Sequence, residues 1–188
     1  MAMLNSPAGY GGLTKAFHWL IVALFAFQYV AAAIMLNMAP NTTVLGGDGN
    51  FWFNWHKSIG LVALVIAIGR LWARQAGQLP AWAPTLQAGE KAFIHRAEQV
   101  LYAAMLVMPV SGFVYVMAAG YGVHFFEAWH LPNPIGKWPL PGEIAKWVHI
   151  VAGYVLGATI LAHVGLVLWH TLFKRDGLIF RMLPGRRG

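Results

Sequence analysis

The sequence predicts an all-α integral membrane protein, a bundle of four transmembrane helices, and three observations point there. Four apolar runs approach the roughly 20 residues that a helix needs to cross a bilayer. Of the 188 residues, 59% are hydrophobic and 10% charged, against roughly 45–50% and about 25% in a soluble domain. The charges also gather at the ends of the apolar runs. Mean hydropathy is +0.57, and the nine Trp fit a chain whose amphipathic aromatics collect where lipid meets water. One membrane domain covering residues 1–188 is expected.

The first span is expected at about 16–36, ended by Pro40 and the polar stretch 41–50. No basic region or small-residue cleavage site precedes it, so it reads as a retained helix and not a removable signal. The second runs from about 55 to 73. A loop rich in Pro, Gly and Gln, 75–90, leads to the third at about 93–119, where Pro109 to Gly112 should bend the helix. Neighbouring helices can satisfy a carbonyl freed in that way. A Pro-rich connection, 120–142, precedes the fourth span at about 144–173.

An even number of spans puts both termini on one side. Lys15, Arg70, Arg74, Lys91, Arg96, Lys174, Arg175, Arg181, Arg186 and Arg187 fall on that side, and Lys57, Lys137 and Lys146 on the other. The excess places both termini in the cytoplasm. Trp52, Trp55, Trp129, Trp138 and Trp147 then mark the outer interface, and Trp19, Trp72 and Trp169 the inner one. The net charge of +7 does not suggest nucleic acid, because no basic stripe runs between polar residues. With no Cys, disulfides, thiolate catalysis, iron–sulfur clusters and covalently attached haem are excluded.

Eight His remain, and their depths matter. His18 lies near the inner end of the first span, His56 at the outer end of the second, and His95 near the inner end of the third. In the fourth, His149 lies outward and His163 inward. The interval from His149 to His163 is roughly 21 Å along a helix and returns to within about 40° of one face. His56 matches the depth of His149, and His18 that of His163. Two haems, each held between imidazoles of two helices, fit this pattern. A buried polar side chain in lipid is costly and therefore functional by default. Two axial imidazoles leave no open position for oxygen and suit electron transfer. A single interfacial His is more often a hydrogen-bonded anchor, and zinc is the rival metal. Structural zinc, however, gathers four ligands in one place, whereas these divide into two distant pairs. Gly153 and Gly157, between the fourth-span histidines, suit either a close macrocycle or small-residue helix packing.

The segments LNSPAGYGGLTKAFHWL, NWHKSIG, IHRAEQVLYAAMLVMPVSGF and KWVHIVAGYVLGATILAHVGLVLWH resemble the bacterial cytochrome b561 family. That family is related to the cytochrome b subunits of formate dehydrogenases and nickel hydrogenases. The resemblance covers about residues 4–184 and implies two haem b groups, with His18 paired to His163 and His56 to His149. It also implies exchange with ubiquinone or another quinone near the inner haem; His95 and His170 are the side chains expected nearest to that quinone, the alternatives being His95 as an inner ligand in place of or beside His18 and His170 as an interfacial anchor. Family members that oxidise superoxide and reduce ubiquinone imply superoxide as donor at the outer face. The alternative is a membrane anchor and electron conduit for a periplasmic dehydrogenase or hydrogenase. Either implies the bacterial inner membrane, with lipid and a redox partner as neighbours.

Haem propionates need cations at the interface. Lys15, Arg70 and Arg96 are the inner set and Lys57 and Lys146 the outer set. For the inner set, ordinary positive-inside placement is the alternative to a propionate contact. The outer pair is not explained by it, since Lys57 follows His56 and Lys146 precedes His149 by three residues. A positive patch there would steer an anion.

Overall fold

A computed structural model describes residues 2–184, and Arg186 and Arg187 of the charge count lie outside it. Four long helices follow one another: α1 Gly12–Asn37, α2 Gly49–Ala76, α3 Ala88–Ala118 and α4 Pro139–Trp169. All four are long and apolar enough to cross a membrane. In each, no more than 22% of the most apolar window is buried in protein. Side chains such as Val65, Tyr154 and Leu161 stand open, which water would penalise and lipid does not. The arrangement is consistent with a four-helix membrane bundle.

Each helix begins a few residues before the expected span. Hydropathy registers the part in hydrocarbon, while backbone hydrogen bonding continues into the polar interface. Capping chemistry sets the true starts. Asp48 accepts the N–H of Phe51 at 2.8 Å ahead of α2, and Glu90 reaches back to the N–H of Gln87 at 2.8 Å ahead of α3, as acidic side chains do in a first turn. Pro139 opens α4 at a position where a missing N–H costs nothing. At the far end of α3, Gly120 adopts φ +81°, the left-handed stop that glycine takes most readily. Helix α3 continues through Pro109.

The connection after α3 is more ordered than its prolines suggest. Strands β1 Val123–Phe125 and β2 Trp129–Leu131 form an antiparallel hairpin, with His124 opposite His130. Beyond α4 the chain tightens into a π turn, His170–Lys174, and a 3-10 turn, Leu178–Arg181.

Contacts group the chain into two compact units. The first comprises 1–20, 66–105 and 153–188, and the second 21–65 and 106–152. Buried Ala73, Ala97 and Ala104 in the first, and Ala31, Ala63 and Ala118 in the second, let helix backbones approach closely where apolar burial gives no driving force.

Candidate functional site: two facing histidine pairs

In the first unit α1 and α4 bring His18 and His163 together, ring centroids 6.4 Å apart and planes at 64°. In the second, α2 and α4 bring His56 and His149 together at 6.2 Å and 84°. Two imidazoles sharing one metal need two bonds of about 2.0 Å, plus about 1.1 Å from each bonded nitrogen to its ring centre given ring bonds near 1.3 Å. The total, about 6.2 Å, lies within about 0.2 Å of both pairs. Among the described residues no three His, Asp or Glu gather to hold a metal ion. Structural zinc, which gathers four protein ligands in one place, therefore does not fit either of these pairs. A metal that brings its own equatorial donors, as haem iron does, needs only the pair.

The surroundings of the second pair are built largely by α3. His149 Nδ1–H donates to the Met108 carbonyl at 2.8 Å, which leaves Nε2 with its lone pair, the tautomer that ligates. Gly112 supplies the room, since a Cβ there would lie 2.9 Å from His149 Cε1 and 3.0 Å from Nδ1. Ser111 Oγ donates to the Val107 carbonyl at 2.6 Å and to that of Met108 at 3.1 Å. The Gln28 amide donates to the carbonyl of His56 at 3.0 Å. Gln28 Oε1 and His56 Nδ1 are buried with no hydrogen-bond partner.

In the first unit Arg70 Nη1 lies 3.2 Å from His18 Nδ1, and its guanidinium lies over the Tyr102 ring at 5.6 Å. Its Nε is buried without a hydrogen-bond partner. A buried cation with an unused donor is costly unless an acceptor joins it, and a propionate beside the His18–His163 pair is such an acceptor. The residues present therefore fit haem at both pairs.

The other expected contacts divide. Lys15 is buried. Lys57 donates to the Gly122 carbonyl at 3.1 Å, and Lys146 pairs with Glu143 at 2.6 Å. Arg96 donates to Gln99 Oε1 at 3.3 Å. His95 lines a cavity of about 330 Å³ with Arg74, Gln75, Glu98, Gln99 and Tyr102. Inside it Arg74 clamps Glu98 through two bonds of 2.8 and 2.9 Å. His170 does not line that cavity. It is fully buried, with Nδ1 2.5 Å from Asp176 and Nε2 3.3 Å from Glu90, which also binds Lys174 at 2.6 Å. Burial works to raise the Asp176 carboxyl, but hydrogen bonds from His170, Thr85 and the Leu178 N–H outweigh it and hold it below its ordinary range.

Several contributors carry little sequence signal. Arg74 reads only as an orientation charge in the sequence, and folding sets it against Glu98. Gly112 stands in the stretch flagged for a helix bend, yet its use is to admit a ring from α4.

Four apolar helices and two intramembrane histidine pairs at metal-bridging distance define a multi-pass membrane haem protein of the cytochrome b class. The family model for prokaryotic cytochrome b561 matches residues 9–185, and the chain belongs to that family. It is similar to cytochrome b561 homolog 2 of Escherichia coli (strain K12), with 24% identity over 191 residues, covering 97% of this chain and 95% of that protein. Membership implies b-type haem and transmembrane electron transfer.

Proposed function

We propose that this protein carries electrons across the bacterial inner membrane through two haem b groups, one between His18 and His163 and one between His56 and His149. The observation that carries the reading is the pair of ring separations, 6.4 and 6.2 Å, each the span of two imidazoles on one iron. When bound, haem iron takes up and releases one electron at a time. The four imidazoles would hold the two irons, and the apolar helices would keep water away. Arg70, with its unpartnered Nε, would neutralise a propionate at the first site. The excess of basic residues supports cytoplasmic termini, and on that orientation His18 and His163 serve the inner leaflet and His56 and His149 the outer.

Quinone is the acceptor in this reading. The cavity beside His95 offers hydrogen-bond donors to quinone carbonyls, and His95 is exposed, placed to pass protons from the cytoplasm. His170 has both ring nitrogens engaged by carboxylates and holds the end of α4 beside that region. Superoxide is the proposed donor at the outer face. Two superoxide ions each lose one electron and leave as dioxygen, and the quinone takes two electrons and two protons to become quinol. Lys57, bound only to the neutral Gly122 carbonyl among the contacts described, supplies local positive charge, whereas that of Lys146 is offset by Glu143.

Reduced-minus-oxidised spectra of the purified protein should show close to two b-type haems per chain. His56→Ala and His149→Ala should each remove one haem, and His18→Ala and His163→Ala the other. A colourless protein, or loss of the same haem from His18→Ala and His56→Ala, would overturn the assignment. Superoxide generated in the presence of a quinone should reduce the haems within the mixing time. A haem protein inert to superoxide until a periplasmic dehydrogenase or hydrogenase is added would instead be that partner's membrane conduit.

A further inference from the structure

The hairpin between α3 and α4 carries a second histidine arrangement, outside the membrane-spanning helices. His124 and His130 stand directly opposite in the β1–β2 register, and both are exposed. His130 Nδ1 lies 3.2 Å from His124 Nε2, with ring centroids 4.6 Å apart. Two nitrogens bound to one divalent metal at about 2.0–2.1 Å and a tetrahedral angle lie about 3.3–3.4 Å apart. The pair is thus within about 0.2 Å of a chelating bite.

The hairpin is also held rigidly enough to keep that bite. Its turn places Phe126 at φ 46° and Glu127 at φ 61°, the left-handed pair that a tight hairpin demands and that Asn-Gly normally supplies. Non-glycine residues persist there only where their surroundings enforce it. The restraints come from α2: the Phe126 N–H donates to the fully buried Ser58 hydroxyl at 2.7 Å, and Lys57 Nζ binds the Gly122 carbonyl at 3.1 Å. Phe126 packs edge-on against Trp55, centroids 5.0 Å apart. Gly122 leaves the ring its place, because a Cβ there would lie 3.2 Å from His130 Cε1.

We infer that His124 and His130 form a surface site for one divalent transition metal of the Zn²⁺, Cu²⁺ and Ni²⁺ class, which imidazole nitrogen prefers. The proton of the ring-to-ring hydrogen bond moves to the outward nitrogen of its own ring, both facing nitrogens bind the metal, and no net proton is released. Among the described residues no third His, Asp or Glu joins them, so water completes the coordination and the site remains open to exchange. Because its supports are Lys57 and Ser58, the two residues after His56, a dication here adds charge and stiffness next to one of the intramembrane pairs.

Cu²⁺ is the probe, applied near neutral pH to full-length protein purified without a polyhistidine tag. Wild type should bind one Cu²⁺ per chain with electron paramagnetic resonance splitting from two nitrogens. His124→Ala combined with His130→Ala should abolish that signal while helical circular dichroism is unchanged. Each single substitution should weaken binding at least about tenfold, the equivalent of 1.4 kcal/mol. Full binding retained by the double variant would overturn the inference, as would a wild type that binds no more Cu²⁺ than the double variant does. Haem content is measured on the same samples, so failure of the haem assignment registers separately.

Discussion

At the scale of single residues, the absence of one side chain matters as much as the presence of another. Gly112 lets the His149 ring lie against α3, where the Met108 carbonyl fixes its tautomer. Gly112→Ala puts a methyl group within 3.0 Å of two ring atoms. Overpacking of this kind costs roughly 1–3 kcal/mol, and the strain should fall on the histidine pair because the helix backbone has less freedom to move. Under the proposed function the expected outcome is reduced or spectrally shifted haem at His56–His149 with haem at His18–His163 intact, read from haem content and low-temperature spectra. Equal loss of both haems would mean a general folding defect. His95 and Arg70 show the converse, in which a residue acquires a role from what folding sets beside it: the former a cavity, the latter His18 and Tyr102.

At the scale of elements, the end of α4 is fastened by charge. The π turn brings His170 between Asp176 and Glu90, and Lys174 completes the clasp. Arg175 at φ 50° and Gly177 at φ 76° turn the chain back so that Asp176 can reach the ring. Asp176 has a carboxyl pKa lowered from 3.8. A group depressed in the folded state contributes stability above its unfolded value and loses it as pH falls through the folded one. The melting temperature in detergent should therefore drop as pH is taken below about 3.8. Asp176→Asn, which has no proton to gain, should start lower at neutral pH and show a shallower acid limb. Parallel acid limbs for the two proteins would remove Asp176 from the account.

At the scale of the whole molecule, the arrangement of charge against lipid sets direction. The natural absence of Cys makes orientation directly measurable, because a single introduced thiol has no background. Ile135→Cys lies at an exposed position in the connection after the hairpin, and Leu79→Cys at an exposed one in the loop after α2. In intact inner-membrane preparations a membrane-impermeant maleimide applied from the periplasm should label the first and leave the second until the membrane is opened. The reverse pattern would invert the proposed topology, and with it which histidine pair faces the periplasm.

The four helices were legible in the sequence because lipid imposes a simple rule on composition: a long apolar run, with charge expelled to its ends. That the His18 ring would face that of His163, and the His56 ring that of His149, was legible too, since helical rise and depth are fixed by residue count. Resemblance to the family pointed to the same pairs. The helices start several residues before the expected spans, because hydropathy follows the solvent while hydrogen bonding and caps such as Asp48 and Glu90 follow the backbone. Only the tertiary structure decided that Gly112 admits a ring, that Arg74 meets Glu98, that His170 sits between two carboxylates, and that His124 faces His130 on a hairpin. Each depends on groups from separate parts of the chain, or on a turn held by another helix. Distances of that kind are set by packing and not by periodicity along the sequence.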